Sequence, residues 1–283
     1  MTKTIVAQRD RFLAEIGKRS LVMGILNVTP DSFSDGGRFL ARDAALAQAR
    51  RLAAEGADII DIGAESTRPG HTPVPGDEER ARLEPVLAEI IAAVDLPVSI
   101  DTMKARVARF AVAAGAAVVN DVWGLQGDPA MADTVAETGA AVVVMHNRVA
   151  ADPDLDILDD MRRFFEASLR LADKAGIPRR HIILDPGIGF GKTRHQNLEA
   201  LANLAVIGAF GLPILVGVSR KSLIADLAGP SGDARLVGTL AANVAAAAKG
   251  AAIFRVHDAA EHVAAFKVFD AIEAASSRAL ADG

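Results

Sequence analysis

The chain has no cysteine, which excludes disulfides, thiolate nucleophiles, cysteine metal ligands and thiol-based redox control. That absence fits a cytoplasmic enzyme. Residues Met1 to Ser20 lack the uninterrupted apolar core of a secretory signal, because Arg, Asp, Glu and Lys interrupt them. No later apolar run reaches membrane-spanning length without a charge or a helix breaker, so the expectation is a soluble, uncleaved chain with no membrane partner. An excess of positive charge is also missing: 31 Lys and Arg stand against 36 Asp and Glu, for a net charge of -5 and a pI near 5.7. This disfavours wholesale nucleic-acid binding but leaves room for a local basic pocket that takes a phosphorylated metabolite. The glycine-rich phosphate loop, the dinucleotide fingerprint and the paired-histidine zinc motif are absent as well.

What is present is a chain that is 51% hydrophobic and 24% charged, the balance of a folded globular protein. Its 283 residues would serve two average domains, or one α/β barrel of about 250 residues. Short apolar runs alternate with amphipathic segments, and no Ser/Pro-rich linker divides them. The strand candidates are 21–27, 58–63, 97–101, 117–121, 141–146, 182–185, 213–219 and 252–257. Helix-favouring segments lie at 43–55, 78–94, 104–114, 155–175 and 237–249, and Gly56, Gly115 and Gly139 punctuate helix-to-strand passages. Eight such units predict a single-domain (β/α)8 TIM barrel over 21–283, preceded by an N-terminal segment 1–20. A doubly wound open sheet is the alternative.

Polar residues concentrate at strand ends: Asn27, Asp61, Asp101, Asn120, His146, Asp185, Arg220 with Lys221, and Arg255 with His257. In a barrel those ends converge on the catalytic face. Asp101 alone reads as a helix N-cap, and its recurrence with Asn120 and Asp185 turns the reading toward ligand binding. Asp185 to Lys192 (DPGIGFGK) lets backbone approach a ligand closely, with Asp185 and Phe190 suited to a flat polar aromatic molecule. The cationic Ser219-Arg220-Lys221-Ser222 and Arg255-Val256-His257 follow the seventh and eighth strands, the sector of barrel phosphate sites. A Schiff-base role for Lys221 is a separate option. Glu65 to Gly70 (ESTRPG) reads equally as a rigid turn or as a ligand loop, with Arg68 available to an anion and Thr67 to a hydrogen bond. His146 reads as a structural histidine, and Trp123 and Met145 as pocket wall or core.

Taken in order, Asn27 to Gly37 (NVTPDSFSDGG), Glu65 to Gly70, Asn120-Asp121, Asp185 to Lys192, Ser219 to Ser222 and Arg255 to His257 closely resemble dihydropteroate synthases of folate biosynthesis, across nearly the whole chain after the N-terminal segment. The resemblance implies condensation of 6-hydroxymethyl-7,8-dihydropterin diphosphate with 4-aminobenzoate, by departure of diphosphate before amine attack. It implies a pterin pocket of Asn120, Asp185, Lys221, Asp101, Arg255 and Met145, and diphosphate contacts from Asn27, Arg68, Arg255 and His257. Thr67, Pro69, Phe33, Phe190, Lys221 and Ser222 would form the 4-aminobenzoate side. Asp101, Lys221 and Asp35 would be catalytic, with Mg2+ at Asn27, and the resemblance further implies a homodimer. With no residue inserted between Arg68 and Pro69, ordinary susceptibility to sulfonamide competitors is expected. Ala64, Trp123 and Asn147-Arg148 depart from the family pattern without removing any of these groups. The rival readings are a methyltetrahydrofolate-dependent methyltransferase, a Lys221 aldolase and a catalytically silent pterin-binding paralogue.

Overall fold

The computed structural model describes residues 3–28, 37–65 and 73–281. Eight parallel strands run β1 (Leu21–Asn27), β2 (Ile59–Gly63), β3 (Val98–Asp101), β4 (Val118–Asp121), β5 (Ala141–Met145), β6 (Ile182–Asp185), β7 (Leu215–Val216) and β8 (Ile253–Val256). Their order is β6-β5-β4-β3-β2-β1-β8-β7, and a parallel bridge from Leu184 to Ile214 joins the last strand to the first. The sheet therefore curls nearly shut, as expected for a single (β/α)8 barrel rather than an open doubly wound sheet.

The helices are α1 (Lys3–Glu15), α2 (Gly37–Ala54), α3 (Gly76–Leu83), α4 (Leu87–Ala93), α5 (Ala105–Ala114), α6 (Met131–Thr138), α7 (Ile157–Ala175), α8 (Arg194–Ala202), α9 (Ala205–Gly208), α10 (Ser222–Ala228), α11 (Gly232–Ala247) and α12 (Ala259–Ala281). Several bounds differ from expectation, α2 starting six residues before Asp43, and three of the differences have a local cause. The segment 78–94 is two helices, α3 and α4, because Pro85 has no N–H to continue the ladder. Helix α11 begins five residues before Val237, where the Ser231 hydroxyl accepts from Ala234 N at 3.1 Å and caps it. Strand β7 is cut from 213–219 to two residues, flanked by Pro213, which cannot donate, and Gly217, which packs no side chain.

Alternation along the strands builds two cores. Leu21, Met23, Ile59, Val118, Val143, Ile183, Leu215 and Ile253 fill the barrel interior, and Phe12 from α1 packs with them. Their neighbours Val22, Ile60, Ile62, Val119, Val142, Val144, Ile182, Leu184 and Phe254 face the surrounding helices. The N-terminal segment is thus not merely a lead-in: α1 lays Phe12 against the interior residues nearest the strand starts, at the end of the barrel opposite the candidate site.

Candidate active site

Side chains two apart on a strand share a face, so the interior set predicts which polar groups point at the barrel axis. Ile59 leads to Asp61, Val118 to Asn120, Ile183 to Asp185 and Ile253 to Arg255. Asp101 has the same parity, because Val98 and Ile100 face the helices. Asp101 is not the cap of α5; Lys104 occupies that position.

Arg255 is the hub. Its Nε donates to Asp61 Oδ2 at 2.6 Å and its Nη2 donates to Asp101 Oδ2 at 2.8 Å. Asn120 Nδ2 donates to the same Asp61 oxygen at 3.1 Å. With its amide nitrogen engaged there, Asn120 keeps Oδ1 as an acceptor. That oxygen and Asp101 Oδ1 are buried and take no hydrogen bond among the described residues. Across the barrel, Asp185, Lys221 and Arg255 gather around Gly217. A Cβ on Gly217 would stand 3.8 Å from Arg255 Cβ and 4.0 Å from both Asp185 Oδ2 and Lys221 Nζ.

The loop after β6 is shaped around these groups. Asp185 Oδ1 accepts from Gly187 N at 2.7 Å, and Lys192 Nζ gathers the carbonyls of Gly187 (2.8 Å) and Phe190 (3.2 Å). Gly187 has φ +63°, and a Cβ there would lie 1.8 Å from His146 O, so only glycine fits. Lys221 Nζ donates to Ile188 O and sits 4.6 Å over the Phe190 ring.

A third part of the mouth lies over Gly63, where a Cβ would be 3.6 Å from Asp101 Oδ2 and 3.7 Å from Asn27 Oδ1. Beside β8, the Ser219 hydroxyl lies 2.9 Å from His257 Nδ1 and accepts from His257 N at 3.1 Å. Met145 is buried at the end of β5 in register with Asp185. Ser222 is exposed at the start of α10, directly after Lys221. Arg220 does not join Lys221: it turns outward with φ +56° and its Nε donates to Asp258 at 2.9 Å. Phe33, Asp35, Thr67, Arg68 and Pro69 lie outside the described residues.

Burial sets the electrostatics. It pushes Asp101 up to about 7, with Arg255 opposing and Asp61 adding to the shift. Asp185 is raised by burial against the pull of Lys221. Burial lowers Lys221 to about 8 and Lys192 to about 7, with Asp185 opposing in both cases. For Arg255 burial disfavours the charge, but Asp61 and Asp101 more than offset it and hold the guanidinium protonated. The site is thus a largely buried set of alternating acids and bases, suited to a flat molecule carrying both N–H donors and acceptors.

His146 has the structural role expected. It is fully buried, its Nε2 is 3.0 Å from Asp160, and it meets the edge of Phe164 at 4.9 Å. Burial, opposed by Asp160, lowers it to about 4. The folded state thus holds His146 neutral while the unfolded chain takes up a proton below 6.5, so stability falls as pH drops from about 6.5 to about 4. Urea denaturation should show this slope flattened in His146→Gln; an unchanged slope would assign the acid loss to other groups.

Four residues take roles that their local sequence does not announce. Asp61, expected at a strand end, is the middle residue of β2 and the shared acceptor of Arg255 and Asn120; a carboxylate between isoleucines in a buried run is the signal that points to it. Ser219 stands out in the sequence only as part of its cationic cluster. Lys192 looked like the end of a glycine loop, and Lys104 like the start of a helix, and neither spacing reveals the contacts they make. Trp123, Asn147 and Arg148, three of the departures from the family pattern, line one open groove of about 630 Å³ with Gln126 and Phe164.

A family profile described as pterin binding enzyme matches residues 23–257. The dihydropteroate synthase of Bacillus subtilis is 46% identical over 241 residues, covering 85% of this chain and 84% of its own. Among solved structures, a Clostridium difficile dihydropteroate synthase determined in the presence of pteroic acid superposes with a TM-score of 0.88 at 46% identity, covering 91% of this chain and 98% of that one. The Xanthomonas albilineans enzyme with 4-aminobenzoic acid gives 0.86 at 46% identity, covering 90% and 94%. With the barrel, the buried acid–base pocket and these full-length relatives in agreement, the chain belongs to the dihydropteroate synthase family of pterin binding enzymes.

Proposed function

We propose that this barrel condenses 6-hydroxymethyl-7,8-dihydropterin diphosphate with 4-aminobenzoate, releasing 7,8-dihydropteroate and diphosphate. The observation that carries the residue assignments is the meeting of Asp185, Lys221 and Arg255 over Gly217, with Asn120 and Asp101 on adjoining strands. Asp185 accepts the pterin N–H donors, Lys221 donates to a ring acceptor, Asn120 Oδ1 takes a further ring N–H, and the Arg255 plane and Met145 pack against the heterocycle. Asn27, Arg68, Arg255 and His257 hold the diphosphate. Phe190, Lys221 and Ser222, with Thr67, Pro69 and Phe33, form the amine side, and Asp35 joins the catalytic set.

In the reaction the pterin methylene C–O bond breaks first, and its electron pair leaves with the diphosphate. The cation left on the conjugated methylene is stabilised by the neighbouring Asp101 carboxylate. The arylamine nitrogen then attacks the methylene and loses its proton to solvent. Positioning and charge complementarity carry the rate, since no covalent intermediate is needed.

Among the described residues no group of three or more His, Cys, Asp or Glu is arranged to hold a metal. Mg2+ nevertheless fits as an ion carried largely by substrate oxygens, because Asn27 Oδ1 offers one neutral ligand beside the buried Asp101. When bound, it would neutralise charge on the departing diphosphate.

No helix among the described residues is long and apolar enough to cross a membrane, and a cytoplasmic setting belongs to the same reading. So does a homodimer: Leu227, Val237, Val268 and Ile272 expose apolar side chains on the packed helices α10, α11 and α12. Sedimentation should then give twice 29.5 kDa; a monomer at micromolar concentration would remove that part of the proposal.

The decisive test is product formation. Dihydropteroate should appear only with both substrates and Mg2+, and diphosphate should be released, slowly, without the amine. No product from folded protein would overturn the assignment, and strictly amine-dependent diphosphate release would overturn the order of steps.

A further inference from the structure

Glu65 follows β2 by two residues and is buried, and both of its carboxylate oxygens are used. Oε1 accepts from Val74 N at 2.8 Å, nine positions along the chain. Oε2 receives Lys104 Nζ. The same ammonium donates to Glu79 Oε2 at 2.7 Å, and Glu79 is fully buried on α3. Arg82, also on α3, donates through Nη1 to Ala64 O at 2.8 Å. Lys104 itself is tied to the mouth end of β3, its N–H donating to Thr102 Oγ1 at 3.2 Å.

One cation therefore serves two buried carboxylates, and one carboxylate ties both ends of a chain segment. Such an arrangement is an expensive way to gain stability, since apolar residues of the same volume would do as well or better. It gives fixed geometry in return. The chain leaving β2 and the chain entering α3 are held at a set separation, and that separation is referred to β3, the strand that carries Asp101.

We propose that Lys104, bridging Glu65 and Glu79, is a positioning residue of the transfer reaction: the three side chains fix the two ends of the segment that carries Thr67, Arg68 and Pro69 and thereby align the amine side of the site with the pterin pocket. The inference rests on the functional reading given above. It predicts a split between the substrates, because Asn120, Asp185 and Lys221 make no contact with the clamp, which reaches the pterin pocket through the charge of Glu79 acting on Asp101.

The test compares Lys104→Met and Glu65→Gln with the parent protein. In Lys104→Met the KM for 4-aminobenzoate should rise at least tenfold, while the calorimetric affinity for 6-hydroxymethylpterin changes less than twofold and Val74 amide exchange accelerates at least tenfold. Glu65→Gln keeps an acceptor for Val74 N but loses its charge toward Lys104, so its KM should fall between the two. If Lys104→Met does not fold, Glu65→Gln carries the same substrate comparison. Equal losses for both ligands, or an unchanged 4-aminobenzoate KM, would overturn the proposal. If the parent makes no dihydropteroate the functional reading fails instead, and Val74 exchange still decides whether the clamp holds.

Discussion

Arg255→Met is expected to cost about 3–5 kcal/mol of folding stability and to abolish measurable turnover. The guanidinium is shared between two carboxylates that are otherwise sealed from water, Asp61 at 0% and Asp101 at 5% exposure. Removing it leaves two like charges facing each other in the barrel. Protonation of Asp101 relieves this repulsion, which fixes the sign of the pH effect. Asp101 is already raised from 3.8 to about 7, so the folded state holds this proton more tightly than the unfolded chain. The stability it contributes is complete below about 4 and is lost as pH rises through about 7. Without Arg255 that loss extends to higher pH, so denaturation should show a larger deficit at pH 8 than at pH 5. A deficit independent of pH would trace the damage to lost packing instead.

Asp185→Asn should lower kcat/KM by two to three orders of magnitude, with folding stability changed by about 1 kcal/mol or less. The substitution is isosteric, and the new Oδ1 can still accept from Gly187 N, which donates to Asp185 Oδ1 at 2.7 Å in the parent protein. What disappears is the buried charge that the proposed function assigns to ring N–H donors, and a hydrogen bond to a charged acceptor contributes about 1.5–3 kcal/mol. The new amide N–H would in addition oppose a ligand N–H. Lys221 and Lys192, whose charges Asp185 supports against burial, lose that support, so Lys221 should deprotonate at lower pH and the basic limb of the rate profile should move down. Steady-state kinetics across pH with calorimetric pterin titration would check both effects. A loss under tenfold would remove Asp185 from the pterin pocket.

Much of this molecule was legible in its sequence, because strand residues in a barrel are apolar on both faces and end abruptly. Strands β1 and β6 coincide with their expected bounds, 21–27 and 182–185, since a turn or a helix limits each run. The pocket residues were legible because a carboxylate or amide that ends a buried run has few other reasons to be there. Contacts between side chains far apart in the chain were not. Asp61 and Arg255 are 194 positions apart, and nothing local says that one neutralises the other. The same holds for Lys104, whose partners are Glu65 in the chain leaving β2 and Glu79 on α3. Helix α1 escaped for a different reason: its charged residues masked the single aromatic, Phe12, that anchors it.

The short seventh strand has a consequence for how the cylinder yields. Strands β6 and β7 meet through one bridge, Leu184 with Ile214, whereas β1 and β2 align over five residue pairs. Asp185 stands directly above that seam on one side, and Gly217 and Lys221 follow it on the other. The barrel is therefore a strip of six longer joints that thins at β7, which aligns with β8 over two residue pairs and meets β6 through one bridge, beneath the proposed pterin pocket. A ligand that touches Asp185 on one side and Lys221 on the other would span both edges of the strip, so its binding would favour the closed cylinder over any state in which those edges part.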